Sequence, residues 1–195
     1  MGSAVAPSIA CLYVGDFENK HLLTHGNPFC ENIRLFKRFI ADVILIWKGS
    51  EDELKEFNLW INSINPYLRF TMSYSSVEQT FLDLRIVAKN GVLSTEVHYK
   101  PTDRNNLLRF DSEHPRNLRE NLPVGQFLRL RRNCSDTSSY KAHAEILSNK
   151  LRVKHYPAQY IQSARKRALH TPRGCLLEKQ KKKDLDNLIC VTTYD

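Results

Sequence analysis

The sequence contains no long apolar run and no secretion signal. None of its 195 residues belong to a segment that approaches the 18 or more consecutive apolar residues typical of a membrane span. The first residues lack the basic start and apolar middle of a signal peptide. We therefore expect an intracellular protein, in the nucleus or the cytoplasm, that is neither secreted nor bound to a membrane.

Paired metal-binding and catalytic motifs are also missing. The five cysteines are an odd number and none stand in a C-x-x-C pair, which argues against a zinc knuckle and a disulfide framework. His21 and His25 share a helical face, but no third ligand is near them in sequence, so the pair is interpreted as incidental. No G-x-S-x-G elbow or phosphate-binding P-loop is present.

Positive charge is concentrated in the second half of the chain. Residues 1–100 carry 10 basic and 11 acidic side chains, whereas residues 101–195 carry 19 and 10. Clustered Lys and Arg gain affinity for polyanions by releasing counterions from phosphates. The asymmetry predicts a module that faces nucleic acid after a near-neutral one; a basic surface that serves only solubility is the alternative.

The first hundred residues combine helices and strands. Apolar spacing over 7–18 predicts an amphipathic helix, and the β-prone runs 35–40 and 43–47, separated by Ala41 and Asp42, predict a tight hairpin. Ser50 and Glu53 form a capping box before a helix that ends at Pro66. Alternation predicts a strand over 68–72. A second hairpin, 81–87 with 92–99, turns at Asn90 and Gly91.

After residue 100 only helices are predicted, over 115–122, 124–132, 137–154 and 158–169. Their apolar stripes indicate the core of a small bundle, and their outer faces are basic, which is compatible with a helix-turn-helix arrangement. The side chains predicted to face outward and bind nucleic acid are Arg129, Arg131, Arg132, Lys150, Arg152, Lys154, Arg165, Lys166 and Arg167.

The predicted organisation is therefore α+β, with a mixed domain at 1–100, a linker at 101–111, a helical domain at 112–170 and a basic, disordered tail at 171–195. The lysines at 181–183 have the composition of a nuclear-import signal, although a short run of this kind is more often a solvated tail.

Several motifs, in order along the chain, resemble the reverse transcriptases of Penelope-like retroelements. Residues 1–7, 9–13 and Glu18 resemble motif B, and 38–43 occupies the place of the motif C hairpin. Further similarity is found at 81–84, 99–104, 114–115 and 125–132. The resemblance implies part of a polymerase palm followed by a helical, thumb-like region that grips template and primer. It also implies that Gly2, the motif B glycine, contacts nucleic acid.

The family's reaction uses two Mg²⁺ ions held by several carboxylates. The resemblance implies that one aspartate comes from a strand before motif B and the others from motif C. In this sequence Ala41 stands at the first motif C aspartate, and only Asp42 remains as a residual catalytic carboxylate and weak, vestigial metal ligand. We therefore expect no cofactor for this chain, although Mg²⁺ serves the family, and an open reading frame that begins inside a truncated element.

Three functions remain open at this point. The favoured one is a catalytically inactive reverse-transcriptase remnant that binds RNA or DNA, as template and primer, through its basic helices. The second is a stand-alone helix-turn-helix module. The third is a polymerase subunit complemented by another chain. Acidic residues at 16–18 and 51–53 are interpreted as helix-end charges, and Asp83 as a structural residue near a turn. The sequence does not indicate the oligomeric state.

Overall fold

The chain folds as two compact units, Met1–Gly91 and Val92–Asp195, and the computed structural model describes residues 5–178. Helices and small antiparallel sheets occur together, which confirms the predicted α+β class. Within the described range no helix is both long and apolar enough to cross a bilayer. Gly2 and the lysine run at 181–183 lie outside the described residues.

The first unit alternates helices and hairpins. Its elements are α1 (Ala6–Phe17) with a π-helical continuation (Glu18–Leu22), β1 (Ile33–Phe39), β2 (Asp42–Trp47), α2 (Glu51–Ile64), β3 (Glu78–Phe81) and β4 (Leu84–Lys89). Its buried core consists of Phe17, Leu22, Leu54, Phe57 and Ile61. The predicted helices of this half are thus present within one or two residues of their expected bounds.

The first hairpin pairs β1 with β2 in antiparallel register, with Phe39 opposite Asp42. Its two-residue turn is Ile40 and Ala41, and Ile40 has a φ of 56°. The prediction that Ala41 and Asp42 form the turn is wrong by one residue. Asp42 is already the first residue of β2, because its backbone pairs with Phe39.

Helix α2 begins as the sequence predicts. The Ser50 side chain accepts a hydrogen bond from the backbone N–H of Glu53, while the Glu53 carboxylate accepts one from the Ser50 N–H. This reciprocal cap satisfies two donors that a helix start leaves unpaired. The apolar stripe of α2 then buries Leu54, Phe57 and Ile61.

The strand predicted over 68–72 is absent: residues 65–77 contain no strand. The alternating side chains of Leu68, Phe70 and Met72 do pack against the first core. The backbone of Phe70 finds a side-chain partner instead of a strand, since the Asn62 amide accepts from its N–H at 2.7 Å and donates to its carbonyl at 3.0 Å.

A three-stranded sheet has the order β3, β4, β5, where β5 is Val92–Val97. The strand predicted over 81–87 is divided, because Leu82 and Asp83 form a turn between β3 and β4, with a φ of 54° at Leu82. Asn90 and Gly91 both have positive φ, 51° and 75°, as the predicted type I′ turn requires.

The second unit is built from β5, α3 (Arg116–Asn133), α4 (Thr137–Val153), α5 (Ala158–His170) and α6 (Arg173–Leu177). It starts at Val92, whereas the sequence analysis places a mixed domain at 1–100 and a helical domain at 112–170. Strand β5 packs on α3 and α4, and Val97 contacts their core. The core residues of this unit are Phe127, Leu130, Cys134, Tyr140, Ala144, Leu147, Leu151, Tyr156, Ile161, Ala164 and Ala168.

Two expectations for the second unit are corrected. The helices predicted over 115–122 and 124–132 are one helix, α3, with Pro123 inside it. Pro123, Phe127 and Leu130 are buried on one face, and this burial offsets the hydrogen bond that a proline nitrogen cannot donate. Helix α6 lies within the tail expected to be disordered. Its Arg173 guanidinium donates to the carbonyl of Arg132 at 3.0 Å and to Thr95 Oγ1 at 3.3 Å.

Candidate nucleic-acid interface

Helices α3, α4 and α5 share one core and hold each other in place. The Tyr140 ring of α4 is buried, and its hydroxyl donates to the carbonyl of Arg165 in α5 at 3.1 Å. Ile161, Ala164 and Ala168 form the buried face of α5, where the small alanines allow close helix packing against α3. Burial raises the pKa of Tyr140, so this hydroxyl stays protonated and remains a donor.

A four-residue turn, 154–157, connects α4 to α5. The N–H groups of Lys154 and Tyr156 donate to the carbonyl of Leu151, and His155 adopts the left-handed conformation with a φ of 65°. The Tyr156 ring is buried 5.3 Å from the Phe110 ring, which fixes the turn against the core. Pro157 then precedes the first residue of α5, where its fixed φ favours helix initiation.

The predicted basic residues separate into two groups. Arg129, Arg132, Lys166 and Arg167 are exposed, and Lys154 is half-buried at the turn. Arg131, Lys150, Arg152 and Arg165 lie against acidic or aromatic side chains. Arg165 Nη1 lies 2.7 Å from Glu145 Oε2, and Arg152 Nη1 lies 3.5 Å from Glu145 Oε1. Arg165 and, more weakly, Arg152 lower the pKa of the Glu145 carboxyl.

Arg131 does not face outward as predicted. Its guanidinium carbon lies 5.9 Å from the centre of the Tyr140 ring, and its Nε and Nη1 atoms are buried without a hydrogen-bond partner within residues 5–178. A cation over an aromatic face stabilises packing. Arg131 is therefore half-buried against Tyr140 rather than fully exposed.

Lys150 is also held within the second unit. Its Nζ is 2.5 Å from Asp103 Oδ2 and 4.4 Å from the centre of the Tyr99 ring. The ion pair lowers the pKa of Asp103, and burial raises the pKa of Tyr99 to about 12. The segment 99–104 thus supplies both partners of this lysine.

The described residues do not bring metal ligands together at Asp42. Asp42 is exposed at the start of β2, and Ala41 beside it has no donor atom. Among residues 5–178, no group of three or more His, Cys, Asp or Glu side chains is placed to hold a metal ion, His21 and His25 included. This donor set does not fit a pair of Mg²⁺ ions, which need several converging carboxylate oxygens.

Sequence reasoning missed the most uniform stretch of charge. Residues 146–177 contain seven Lys or Arg and no Asp or Glu, and they cover the end of α4, the turn, α5 and α6. Counting charged residues over each half of the chain does not reveal this stretch. Counting them over a window as long as two consecutive helices does. The exposed polar side chains of α5, among them Gln159 and Gln162, were missed as well.

Three helices that share one core, with a fixed four-residue turn between the last two, define a helix-turn-helix arrangement. Residues 106–166 match the family model of the animal helix-turn-helix domain. The match covers α3, α4 and most of α5. No curated protein and no solved structure matches the chain.

Proposed function

We propose that the second unit binds nucleic acid, with the turn and α5 facing the duplex. The observation that carries this proposal is the match of residues 106–166 to a helix-turn-helix domain over the same segment in which the fold forms helix, turn and helix. In proteins with this arrangement the second helix enters the groove while the first crosses the phosphate backbone.

The charge of the segment supports the same orientation. Lys154 lies at the turn, and Lys166 and Arg167 are exposed on α5, in a stretch that carries no carboxylate from residue 146 to residue 177. Each phosphate neutralised by such a side chain releases condensed counterions, which is the main source of affinity for nucleic acid. Glu145 is the acidic residue that precedes this stretch, and its carboxylate already forms ion pairs with Arg165 and Arg152.

The test is equilibrium binding of the full chain to short labelled DNA and RNA duplexes over a series of salt concentrations. If four phosphates are neutralised, affinity falls by about 100-fold between about 50 and 200 mM salt. Lys166→Gln lowers the salt slope by about one unit, whereas Lys141→Gln, the same change at an exposed position of α4, lowers it less. Absence of binding at low salt contradicts the proposal.

We further propose that the first unit is a reverse-transcriptase remnant without polymerase activity. The motif similarity supports the origin, and the isolated, exposed Asp42 supports the inactivity. A complementing chain that supplied another aspartate would still meet the methyl group of Ala41. Primer extension with Mg²⁺ or Mn²⁺ tests this: no product above blank is expected, and extension by the purified chain contradicts it.

A further inference from the structure

A cavity of about 180 Å³ lies between α3 and α6 in the second unit. We propose that it docks an acidic segment of a partner protein, which inserts one bulky apolar side chain and pairs its carboxylates with arginines at the rim. This surface is separate from the proposed nucleic-acid contact and does not depend on it. The residues that line the cavity are Gly125, Leu128, Arg129, Arg132 and Leu176.

The cavity occupies the side of α3 that points away from the helical core. Gly125, Arg129 and Arg132 are exposed and are spaced by four and three residues, so they lie on one face of the helix. With about 3.6 residues per turn, Phe127 and Leu130 lie on the opposite face, where they are buried together with side chains of α5. A segment bound at the cavity therefore leaves the turn and α5 accessible to a duplex.

The size and the walls of the cavity suit one apolar side chain. Gly125 has no side chain, and a Cβ added there meets no atom within 4 Å, so the helix backbone is open to close approach. Leu128 and Leu176 supply apolar walls on either side. A cavity of about 150 Å³ holds a molecule the size of benzene. The cavity at Gly125 therefore accommodates one Phe or Leu side chain of a partner.

The charge around the cavity selects an acidic partner. Residues 121–135 contain three arginines and no carboxylate, and α6 adds Arg173. Within residues 5–178 neither the Arg132 nor the Arg173 guanidinium forms an ion pair with a carboxylate. Arginine presents a planar set of donors that matches a carboxylate. Asp or Glu residues beside the inserted side chain would supply these missing counter-charges.

The wall of the cavity is fixed before a partner arrives. The Arg173 guanidinium donates to the carbonyl of Arg132 in α3 and to Thr95 Oγ1 in β5, so α6 is attached to two other elements of the unit. Partner binding then costs little ordering of α6, and preorganisation of this kind favours affinity.

A protein segment fits this surface better than a nucleic acid does. The backbone of a duplex presents phosphates and sugars, which pair with arginines but have no apolar group to fill a cavity between Leu128 and Leu176. A peptide supplies carboxylates and an apolar side chain together. Apolar anchors in pockets of this kind carry most of the binding energy of a protein interface.

The experiment measures the fluorescence anisotropy of a labelled synthetic peptide, in which one Phe is flanked by Asp, Glu and Leu, during titration with the full chain. Gly125→Leu fills the cavity with a good helix former and should weaken binding by at least about 10-fold. Arg132→Gln removes one exposed ion pair and should weaken binding by about 2- to 5-fold. Peptides with Asn and Gln in place of the acids, or Ala in place of Phe, should bind less tightly.

Two matched controls should leave the affinity unchanged. Ala142→Leu adds the same side chain at an exposed position of α4, and Arg116→Gln makes the same charge change at the start of α3. Far-UV circular dichroism verifies the fold of each variant. No binding of the acidic peptide, equal affinity for the neutral peptide, or equal losses in the controls would overturn the proposal.

Three further outcomes would assign the cavity to another occupant and also overturn it. Displacement of the peptide by a DNA duplex would make this face part of the nucleic-acid surface, while the proposed function would stand. Tighter peptide binding by the full chain with Asp184→Asn and Asp186→Asn would show that the chain's own carboxylates compete for the cavity. Self-association that Gly125→Leu abolishes would assign the cavity to a second copy of the chain.

Discussion

At the scale of single residues, Arg38 and Glu18 form an ion pair that is largely removed from solvent. Their side chains are 15% and 12% exposed. Arg38 Nε lies 2.5 Å from Glu18 Oε1, and Nη2 lies 3.2 Å from Oε2, so the pair is bidentate. Arg38 also donates to the carbonyls of Ile40 and Cys11. This guanidinium thus connects β1 to the helical start of the first unit.

We expect Glu18→Gln to lower the free energy of unfolding by about 1–3 kcal/mol, because it leaves a partly buried guanidinium without its counter-charge. The control is Asp16→Asn, which removes an exposed pair with Lys20 and should cost less than about 0.5 kcal/mol. Urea unfolding followed by circular dichroism measures both. Equal effects of the two substitutions would contradict the role of burial.

The pair of Asp103 and Lys150 predicts a dependence of stability on pH. Lys150 lowers the folded-state pKa of Asp103, and the Asn105 N–H lowers it further. Because the folded value lies below the unfolded value of about 3.9, the stabilisation is complete above that value and is lost as pH falls through the folded value. The contribution is about 0.5–1 kcal/mol, since both side chains remain partly exposed.

The variant Asp103→Asn isolates this charge, since an amide oxygen keeps the acceptor that Asn105 uses. At neutral pH it should unfold at lower urea than the unsubstituted chain, and the difference should shrink as pH falls below the unfolded pKa of about 3.9 and vanish below the lower, folded-state pKa. A difference that persisted in strong acid would assign the effect to packing rather than to charge.

The residue scale also separates what the sequence predicts from what it does not. The sequence gives no reason to treat Lys150 and Lys166 differently, because both are lysines in basic segments. In the fold, Lys150 contacts Asp103 and Tyr99, while Lys166 is exposed. Asp103 is 47 residues from Lys150, and no local pattern relates two positions so far apart. Composition therefore predicted a basic unit, and only the fold distinguishes its surface from its interior.

At the scale of elements, α3 contains a glycine that the helical backbone does not require. Gly125 is an exposed glycine in the interior of this helix, and a Cβ added there meets no atom within 4 Å. Gly91 is also open, but it has a φ of 75° in the hairpin turn between β4 and β5. The same substitution therefore has opposite expectations at the two sites.

Gly125→Ala should raise the free energy of unfolding by about 0.5–1 kcal/mol, because alanine loses less backbone freedom in a helix. Gly91→Ala should lower it by about 1–2 kcal/mol, because an L-residue is strained in the left-handed region. Urea unfolding of both variants checks the signs. A loss of stability in Gly125→Ala would mean that α3 is not regular at this position.

Local signals predicted the elements that depend on local chemistry. The capping box at Ser50 and the turn at Asn90 and Gly91 are confirmed, because each is specified by a few adjacent residues. The predictions that failed concern segments whose structure depends on residues far away in the sequence. The segment 68–72 alternates like a strand but has no strand to pair with, and Pro123 breaks no helix because its ring is buried on the core face of α3.

At the scale of the whole molecule, the boundary between the two units also separates a near-neutral part of the chain from a basic part. Residues 1–91 carry nine basic and ten acidic side chains, and residues 92–195 carry twenty and eleven. The half-chain count therefore predicted which unit is basic, while the inclusion of β5 in that unit depends on packing that a sequence pattern does not show. Nucleic-acid binding is proposed for the basic unit, and no direct contact with the duplex is expected of the near-neutral unit.

The measurement that tests this assignment most directly is a titration of the isotope-labelled full chain with a short DNA duplex, observed through backbone amide NMR shifts. We expect the largest shift changes at the turn 154–157 and in α5, and small ones in residues 5–91. Changes confined to residues 5–91, with α5 unaffected at saturation, would contradict the central claim that the helix-turn-helix region holds the nucleic acid.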